Sequence, residues 1–93
     1  MIKNFHDKET KKVFHGVHSR RLPSNIQVIG MRKLWMLDAA ANFEDIRVPP
    51  SNHLERLHKD REGQYSIRIN KQWRICFEWK DGDAFRVEIT DYH

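Results

Sequence analysis

The chain has 93 residues, of which 39% are hydrophobic and 32% charged, proportions that exclude a disordered protein and predict a single domain over residues 1–93. No apolar run approaches the ~20 residues of a membrane span, and the N-terminus does not resemble a secretory signal. The single cysteine, Cys76, cannot form an internal disulfide, so we expect a cytoplasmic protein. Lys and Arg number 17 against 13 Asp and Glu, an excess that fits a polyanionic partner but is equally ordinary for a basic soluble protein.

The first half of the chain has the pattern of a short strand followed by two helices. Residues 1–5 form the strand, and Asp7 is a good N-cap for a helix over 8–15. Ser24 is predicted to cap a longer helix over 25–42. That helix is apolar on two sides, which predicts that it lies between the sheet and the first helix; a partner-binding second side is the alternative. The first side comprises Ile26, Ile29, Met36, Leu37, Ala40 and Ala41, and the second comprises Val28, Met31, Trp35 and Ala39.

The second half begins with a break and ends in a sheet. Pro49-Pro50 stops any helix, and residues 51–63 form a polar connection with one helical turn over 54–57. Apolar and polar residues then alternate with period two over three segments, which predicts three strands. The expected fold class is α+β, with two N-terminal helices packed on one face of a small antiparallel β-sheet. The apolar strand positions are Tyr65, Ile67 and Ile69, then Trp73, Ile75, Phe77 and Trp79, and finally Phe85, Val87 and Ile89.

The turn after Ile69 determines which side chains share the polar face of the sheet. Ile69 and Trp73 must lie on the same face, and only pairings whose residue numbers sum to an even number achieve this. The tightest such pairing sets Arg68 directly opposite Arg74, where like charges cost stability. A bound phosphate would compensate, because guanidinium groups bind phosphate oxygens through two hydrogen bonds. The alternative is that both arginines point into water or pair with Glu88.

The last strand is expected to run beside these arginines. An Asp81-Gly82 hairpin permits a register with Glu78 opposite Arg86. Continued alternation brings Tyr92 onto the polar face near Arg74. An aromatic residue at a frayed chain end is the alternative interpretation of Tyr92.

Two arginines and a tyrosine are suited to cleaving RNA through its own 2′-hydroxyl. That reaction needs a base for the 2′ proton, a cation for the phosphorane and an acid for the leaving 5′ oxygen. Arg68 and Arg74 suit the cationic role, and their charge would favour the phenolate of Tyr92 as the base. The other candidates for the base and the acid are Asp91, His93, Glu55 and His58.

Further cations surround these candidates, whereas the pattern of a metal or cofactor site is missing. Histidine pairs at 15/18 and 53/58 lack the second ligand pair of a zinc site, so no metal and no cofactor is predicted. Cys76 has no obvious catalytic partner and is expected to be an inert thiol. The side chains expected to bind RNA or the ribosome are Arg56, Lys59, Arg61 and Lys71.

Several motifs together resemble one known toxin family. The strand segment GQYSIRIN at 63–70, the block QWRICF at 72–77 and the terminal DYH are similar to those of the HigB toxins, which belong to the RelE superfamily. The opening MIKNF and Pro49-Pro50 fit the same family, so the resemblance covers nearly the whole chain. The WRI block and the terminal DYH are specific in combination, and neither is specific alone.

The resemblance implies a RelE-like fold and the toxin of a type II toxin–antitoxin pair. It implies metal-independent cleavage of messenger RNA in the ribosomal A site. It also implies a HigA-like helix-turn-helix antitoxin, and the toxin would contact operator DNA only through this antitoxin. Position by position, the family's two arginines fall on Arg68 and Arg74 and its terminal tyrosine on Tyr92. Glu55 stands where compared members have a histidine, and His58 where they have a lysine, so the identity of the base stays open.

Two other functions are compatible with the same residues. A toxin that binds the ribosome and stalls translation without cleavage would need only a basic surface. A non-catalytic RNA- or protein-binding module on the same scaffold is the second alternative. The paired arginines and the terminal DYH argue against it, because a pure binding module would not need them together.

Overall fold

A computed structural model describes residues 1–91 of the chain; Tyr92 and His93 lie outside the described residues. The helices are α1 (Lys8–Phe14) and α2 (Ser24–Ala39), with short 3₁₀ helices at Phe43–Arg47, Pro50–Asn52 and Lys59–Arg61. The strands form one antiparallel sheet in the order β1-β2-β3-β4, which confirms the predicted α+β class. Their bounds are β1 (Glu55–Arg56), β2 (Gln64–Arg68), β3 (Trp73–Lys80) and β4 (Asp83–Asp91).

Both helices pack on one face of the sheet, as the alternating pattern predicted. Gly30 of α2 faces the strands: a Cβ added there would be 3.5 Å from Cδ1 of Ile69 and 3.6 Å from Cδ1 of Ile89. The small residue at this point lets α2 lie directly against the sheet. The buried core between helices and strands includes Val13, Ile26, Leu34, Leu37, Ile67, Ile75, Phe77 and Val87.

The first helix follows its prediction, and the second differs at both ends. Asp7 caps α1 by accepting a hydrogen bond from the backbone N–H of Thr10 at 2.7 Å. Ser24 is the first residue of α2 rather than its cap, because Pro23 takes the cap position, and no side chain bonds there. The helix ends at Ala39, since the next residue adopts extended backbone. No helix within residues 1–91 has the length and apolar content needed to cross a membrane.

The second apolar side of α2 is not sandwiched as expected. Val28 is 56% exposed and Trp35 is 49% exposed, so solvent rather than a packed element covers much of this side. Ile29, which the pattern placed on the core side, is also exposed, whereas Leu34 is fully buried. The short α1, seven residues long, is too small to cover the whole of α2.

The segment between the proline pair and the main sheet contains a strand instead of the predicted helical turn at 54–57. Glu55 pairs with Ser66 and Arg56 with Tyr65, and the backbone N–H of Leu57 donates to the carbonyl of Gln64 at 2.9 Å. The backbone here bonds to β2 rather than to itself, which excludes a helical turn.

Two strand registers were predicted, and one of them is correct. Arg68 lies directly opposite Arg74, as the tightest pairing allowed by parity predicted. The Asp81-Gly82 hairpin is also present, but the register of β4 shifts between Cys76 and Glu78, so Phe85 rather than Arg86 is the backbone partner of Glu78. Arg86 sits in this bulge with a φ of 51°, and its guanidinium still lies 3.9 Å from the Glu78 carboxylate.

The predicted opening strand is reduced to two bridges. Ile2 and Phe5 pair in parallel with Ala84 and Val87 of β4. Residues 1–6 therefore run along the outer edge of the last strand.

Candidate active site

Arg74 lies on the sheet face opposite the helices, and its side chain is almost fully buried. Its Nε donates to Oγ of Ser66 at 2.7 Å, and its Nη2 donates to the carbonyls of His53 and Ser66. Nη1 lies 3.8 Å from a carboxylate oxygen of Glu55. A buried charge is costly unless polar groups surround it, and β2 and the 53–55 segment supply them here. The guanidinium is therefore held in one orientation instead of pointing into water.

Arg68 places a second positive charge beside the first. Its Nε donates to the carbonyl of Asn70 at 3.1 Å, and its side chain is half-buried. Glu88, the other partner considered for these arginines, forms its ion pair with Arg61. Two cations thus lie side by side across β2 and β3, each oriented by neighbouring backbone or hydroxyl oxygens.

A cleft of about 480 Å³ opens next to this pair. One wall is the 57–61 segment, on which the imidazole of His58 and the ammonium of Lys59 are exposed. The other wall is the end of β4, where Thr90 is the cross-strand partner of Arg74. The cleft therefore adjoins the row of arginines. Its full lining is Leu57, His58, Lys59, Asp60, Arg61, Thr90 and Asp91.

A hydrogen-bonded ion pair ties the 57–61 wall to the sheet. Nη1 of Arg61 donates to the carboxylate of Glu88 on β4 at 3.1 Å and to the side-chain oxygen of Gln64 at 3.2 Å. The other carboxylate oxygen of Glu88 lies 3.6 Å from Nε2 of His6. The charge of Arg61 is thus already paired within the protein, although the residue also lines the cleft.

The predicted base and acid candidates lie in different parts of this region. Glu55 is exposed and beside Arg74, whereas His58 lies on the cleft wall. Asp91 ends β4 at the cleft and accepts a hydrogen bond from the side-chain amide of Gln72 at 2.9 Å. Tyr92 and His93 follow it directly in the chain and lie outside the described residues.

The four predicted RNA-binding cations do not share one surface. Lys59 and Arg61 line the cleft, and Lys71 is exposed at the turn between β2 and β3. Arg56 pairs with Tyr65 and lines a separate pocket with Phe43 and Arg47. Two of the four therefore line the cleft, whereas Lys71 and Arg56 lie outside its lining.

The Cys76 thiol is buried behind the arginine row. Burial raises its pKa to about 11, and the Glu88 charge acts in the same direction while Arg61 and Arg74 oppose it. A thiol in this state is a poor nucleophile at neutral pH, in agreement with its predicted inertness. Within residues 1–91, no group of three or more His, Cys, Asp and Glu side chains is placed to hold a metal ion.

Sequence reasoning did not identify the groups that orient Arg74. Ser66 alternates in phase with Arg68, so parity would have placed its hydroxyl on the polar face. The carbonyl of His53 has no signal in the sequence, because its position depends on the left-handed backbone of that residue, with φ 46° and ψ 55°. The contact between Arg61 and Glu88 joins residues 27 positions apart and has no local signature either.

Comparisons with known proteins place this geometry in context. The sequence profile of the RelE-like toxin of type II toxin–antitoxin system HigB matches residues 3–93. The chain is 42% identical to Toxin HigB-1 of Vibrio cholerae over 93 residues, which cover 99% of this chain and 98% of that protein. It is 34% identical over 97 residues to Endoribonuclease HigB of Proteus vulgaris, with both chains covered completely. An uncharacterized protein of Haemophilus influenzae is 39% identical over 78 residues, which are 84% of this chain and 77% of that protein.

Proposed function

Because this chain belongs to the HigB family of RelE-like toxins of type II toxin–antitoxin systems, we propose that it is an endoribonuclease that cleaves messenger RNA on the ribosome and so inhibits translation. The observation that supports this most directly is the orientation of Arg74, held by Ser66 and His53 beside an open cleft. A cation fixed in place before substrate arrives stabilises a developing phosphorane without having to reorganise.

In this proposal the 2′-hydroxyl of the RNA is the nucleophile, and no metal or cofactor takes part. Arg74 and Arg68 supply positive charge to the phosphorane oxygens. His58 on the cleft wall and Glu55 beside Arg74 are the described candidates for proton transfer. Asp91 at the end of β4, and Tyr92 and His93, which follow it in the sequence, are the other candidates, and their variants identify the base.

Ribosome dependence fits the composition of the site. Among the described residues, the cleft lining includes one histidine, His58, together with Lys59 and Arg61, whose charges suit contacts with phosphates. Holding the 2′-hydroxyl in line with its phosphate can contribute ~7–11 kcal/mol, and a ribosome that fixes the codon in its A site would supply much of this. Lys59, Arg61 and Lys71 would contact RNA phosphates, and Arg56 would do so from the other side of the molecule.

The proposal also specifies partners and compartment. A HigA-like helix-turn-helix protein would be the antitoxin and would provide the only route to operator DNA. The substrate is ribosome-bound messenger RNA, so the protein would act in the cytoplasm as a single domain.

The test compares single-turnover cleavage of one message, free and bound in a programmed ribosome, at low and high salt. The expected result is fast, salt-sensitive cleavage on the ribosome and slow cleavage of free RNA. Arg74→Lys should abolish most of the ribosomal rate, while Arg47→Lys, a matched change on the other side of the sheet, should not. Equal rates on free and bound RNA would refute ribosome dependence.

A second measurement separates this proposal from the other functions. Transcript 5′ ends are mapped after induction of the protein in cells. Cuts within reading frames support the endoribonuclease. Growth arrest without cuts would instead identify a toxin that stalls translation, and neither effect would identify a binding module.

A further inference from the structure

An apolar groove of about 160 Å³ lies between the end of α1 and the first half of α2. Val28 and Val17 line it and are more than half exposed, and Met31 forms its floor beside Gly16. Trp35 continues the stripe one turn along α2, with its indole N–H bonded to the carbonyl of Phe14. Val28, Met31 and Trp35 occupy positions i, i+3 and i+7 of the helix, with Val28 and Trp35 exposed and Met31 half-buried, a spacing typical of a stripe on which a partner segment docks.

The charge around the groove is mainly positive, although the Glu9 carboxylate lies nearby, where it accepts a hydrogen bond from Oγ of Ser19. Residues 10–37 contain no Asp or Glu. Within residues 1–91, Lys12 is the one cation of this stretch that forms an ion pair, with Glu9 at 3.4 Å. The linker that continues from the groove wall carries exposed Arg20 and Arg21. The six cations of the stretch are Lys11, Lys12, Arg20, Arg21, Arg32 and Lys33.

We propose that this groove binds an acidic, amphipathic segment of the antitoxin, which inserts apolar side chains between Val17 and Val28 and pairs its carboxylates with the exposed Arg20 and Arg21. The inference rests on the antitoxin partner of the proposed function. A second copy of this chain is a poor occupant, because two such surfaces would bring their cations together. RNA is also disfavoured, because the groove lining is mostly apolar, with exposed Val17 and Val28 beside His18 and Gln27, while the lysines and arginines lie outside it.

This position separates the antitoxin from the nuclease cleft. The groove belongs to the helical layer, whereas the cleft lies at the end of β4 beside Arg74 on the opposite face of the sheet. The antitoxin segment would therefore bind without touching His58 or Lys59.

The experiment measures the affinity of the full-length toxin for the purified antitoxin encoded beside it, by calorimetry at low and high salt. Val28→Asp places a carboxylate in the groove, and Ile29→Asp makes the same change at the next exposed residue of the same helix, outside the groove lining. We expect Val28→Asp to weaken binding by about tenfold or more, as truncation at the centre of an interface typically does, and Ile29→Asp to have a much smaller effect. The double variant Arg20→Glu and Arg21→Glu should weaken binding and reduce its dependence on salt.

Two further measurements decide between the groove and other sites. Hydrogen exchange should show that the antitoxin protects amides at the end of α1 and in α2 and leaves the 57–61 segment unprotected. Ribosome-dependent cleavage should be unchanged in Val28→Asp, so a failure of the nuclease proposal would leave the binding result intact. Equal affinities for the two Asp variants, protection confined to the cleft, or loss of RNA binding in place of antitoxin binding would each overturn the inference.

Discussion

Replacing Arg74 with lysine separates the charge of this residue from its orientation. The change keeps one positive charge but removes the planar group whose Nε and Nη2 bond to Ser66 and His53 at the same time. A single ammonium cannot reach both acceptors from the same stem. Leaving a buried polar partner unsatisfied costs ~1–3 kcal/mol, so we expect the free energy of unfolding to fall by about that amount.

The cleavage rate should fall further than stability alone would explain. Losing one correctly placed electrostatic group typically costs ~10²–10³ in rate. A domain of this size retains enough stability to stay folded after a loss of ~1–3 kcal/mol, so the rate can be measured on native protein. The assay pairs urea unfolding, followed by tryptophan fluorescence, with single-turnover cleavage on programmed ribosomes.

Arg68→Lys is the matched control for stability. Arg68 is half-buried and donates from Nε to one carbonyl, so its replacement should cost less than ~1 kcal/mol. If Arg74→Lys were no less stable than Arg68→Lys and cleaved at the wild-type rate, the held orientation of Arg74 would have no role in the reaction.

The remaining predictions concern the chain terminus, the cleft wall and the buried thiol. Tyr92→Phe keeps the ring and removes the hydroxyl, so it should reduce the cleavage rate sharply; cleavage at the normal rate would transfer the role of base to another group. Glu88→Gln should weaken the contact between Arg61 and residue 88 that holds the 57–61 segment on the sheet. Hydrogen exchange over residues 57–61 should then increase, and KM should rise more than kcat falls. Unchanged exchange would contradict this role of the contact. Because burial raises the pKa of Cys76 from 9.0 to about 11, its contribution to stability is complete below pH 9 and is lost as the pH rises towards 11. Urea unfolding of the wild type and Cys76→Ala at rising pH should show a smaller loss in the variant, and parallel curves would refute the assignment.

Much of the sheet was predictable because side-chain alternation and turn length constrain register together. Parity restricted the pairing to even sums, since any odd sum would have moved Ile69 or Trp73 to the other face, and the tightest turn then set Arg68 opposite Arg74. The same reasoning did not foresee the bulge at Arg86, because an extra residue in one strand depends on how β4 meets the N-terminal segment. Asn4 accepts the backbone N–H of Arg86 there, a contact across 82 positions.

The sequence predicted the charged residues of the candidate site but not the groups that orient them. Period two identified the arginines, whereas β1 has only two residues and therefore carries no periodicity. Exposure along α2 was also misjudged, because helical spacing alone cannot tell which of two apolar sides meets the core. Gly30, which faces Ile69 and Ile89, marks the side that meets the sheet.

The run of residues 1–6 along β4 affects how the sheet behaves towards other chains. A nine-residue strand at the edge of a sheet would expose a row of unpaired amides and carbonyls to which another polypeptide could add. Here the backbone of Ala84 bonds to Met1 and Lys3, that of Val87 bonds to Asn4 and His6, and the N–H of Ile89 donates to Oγ1 of Thr10. At the opposite side the sheet ends in the two-residue β1, which offers little template. Both edges of the sheet are thus protected against edge-to-edge aggregation, and detachment of the first six residues would remove this protection at β4.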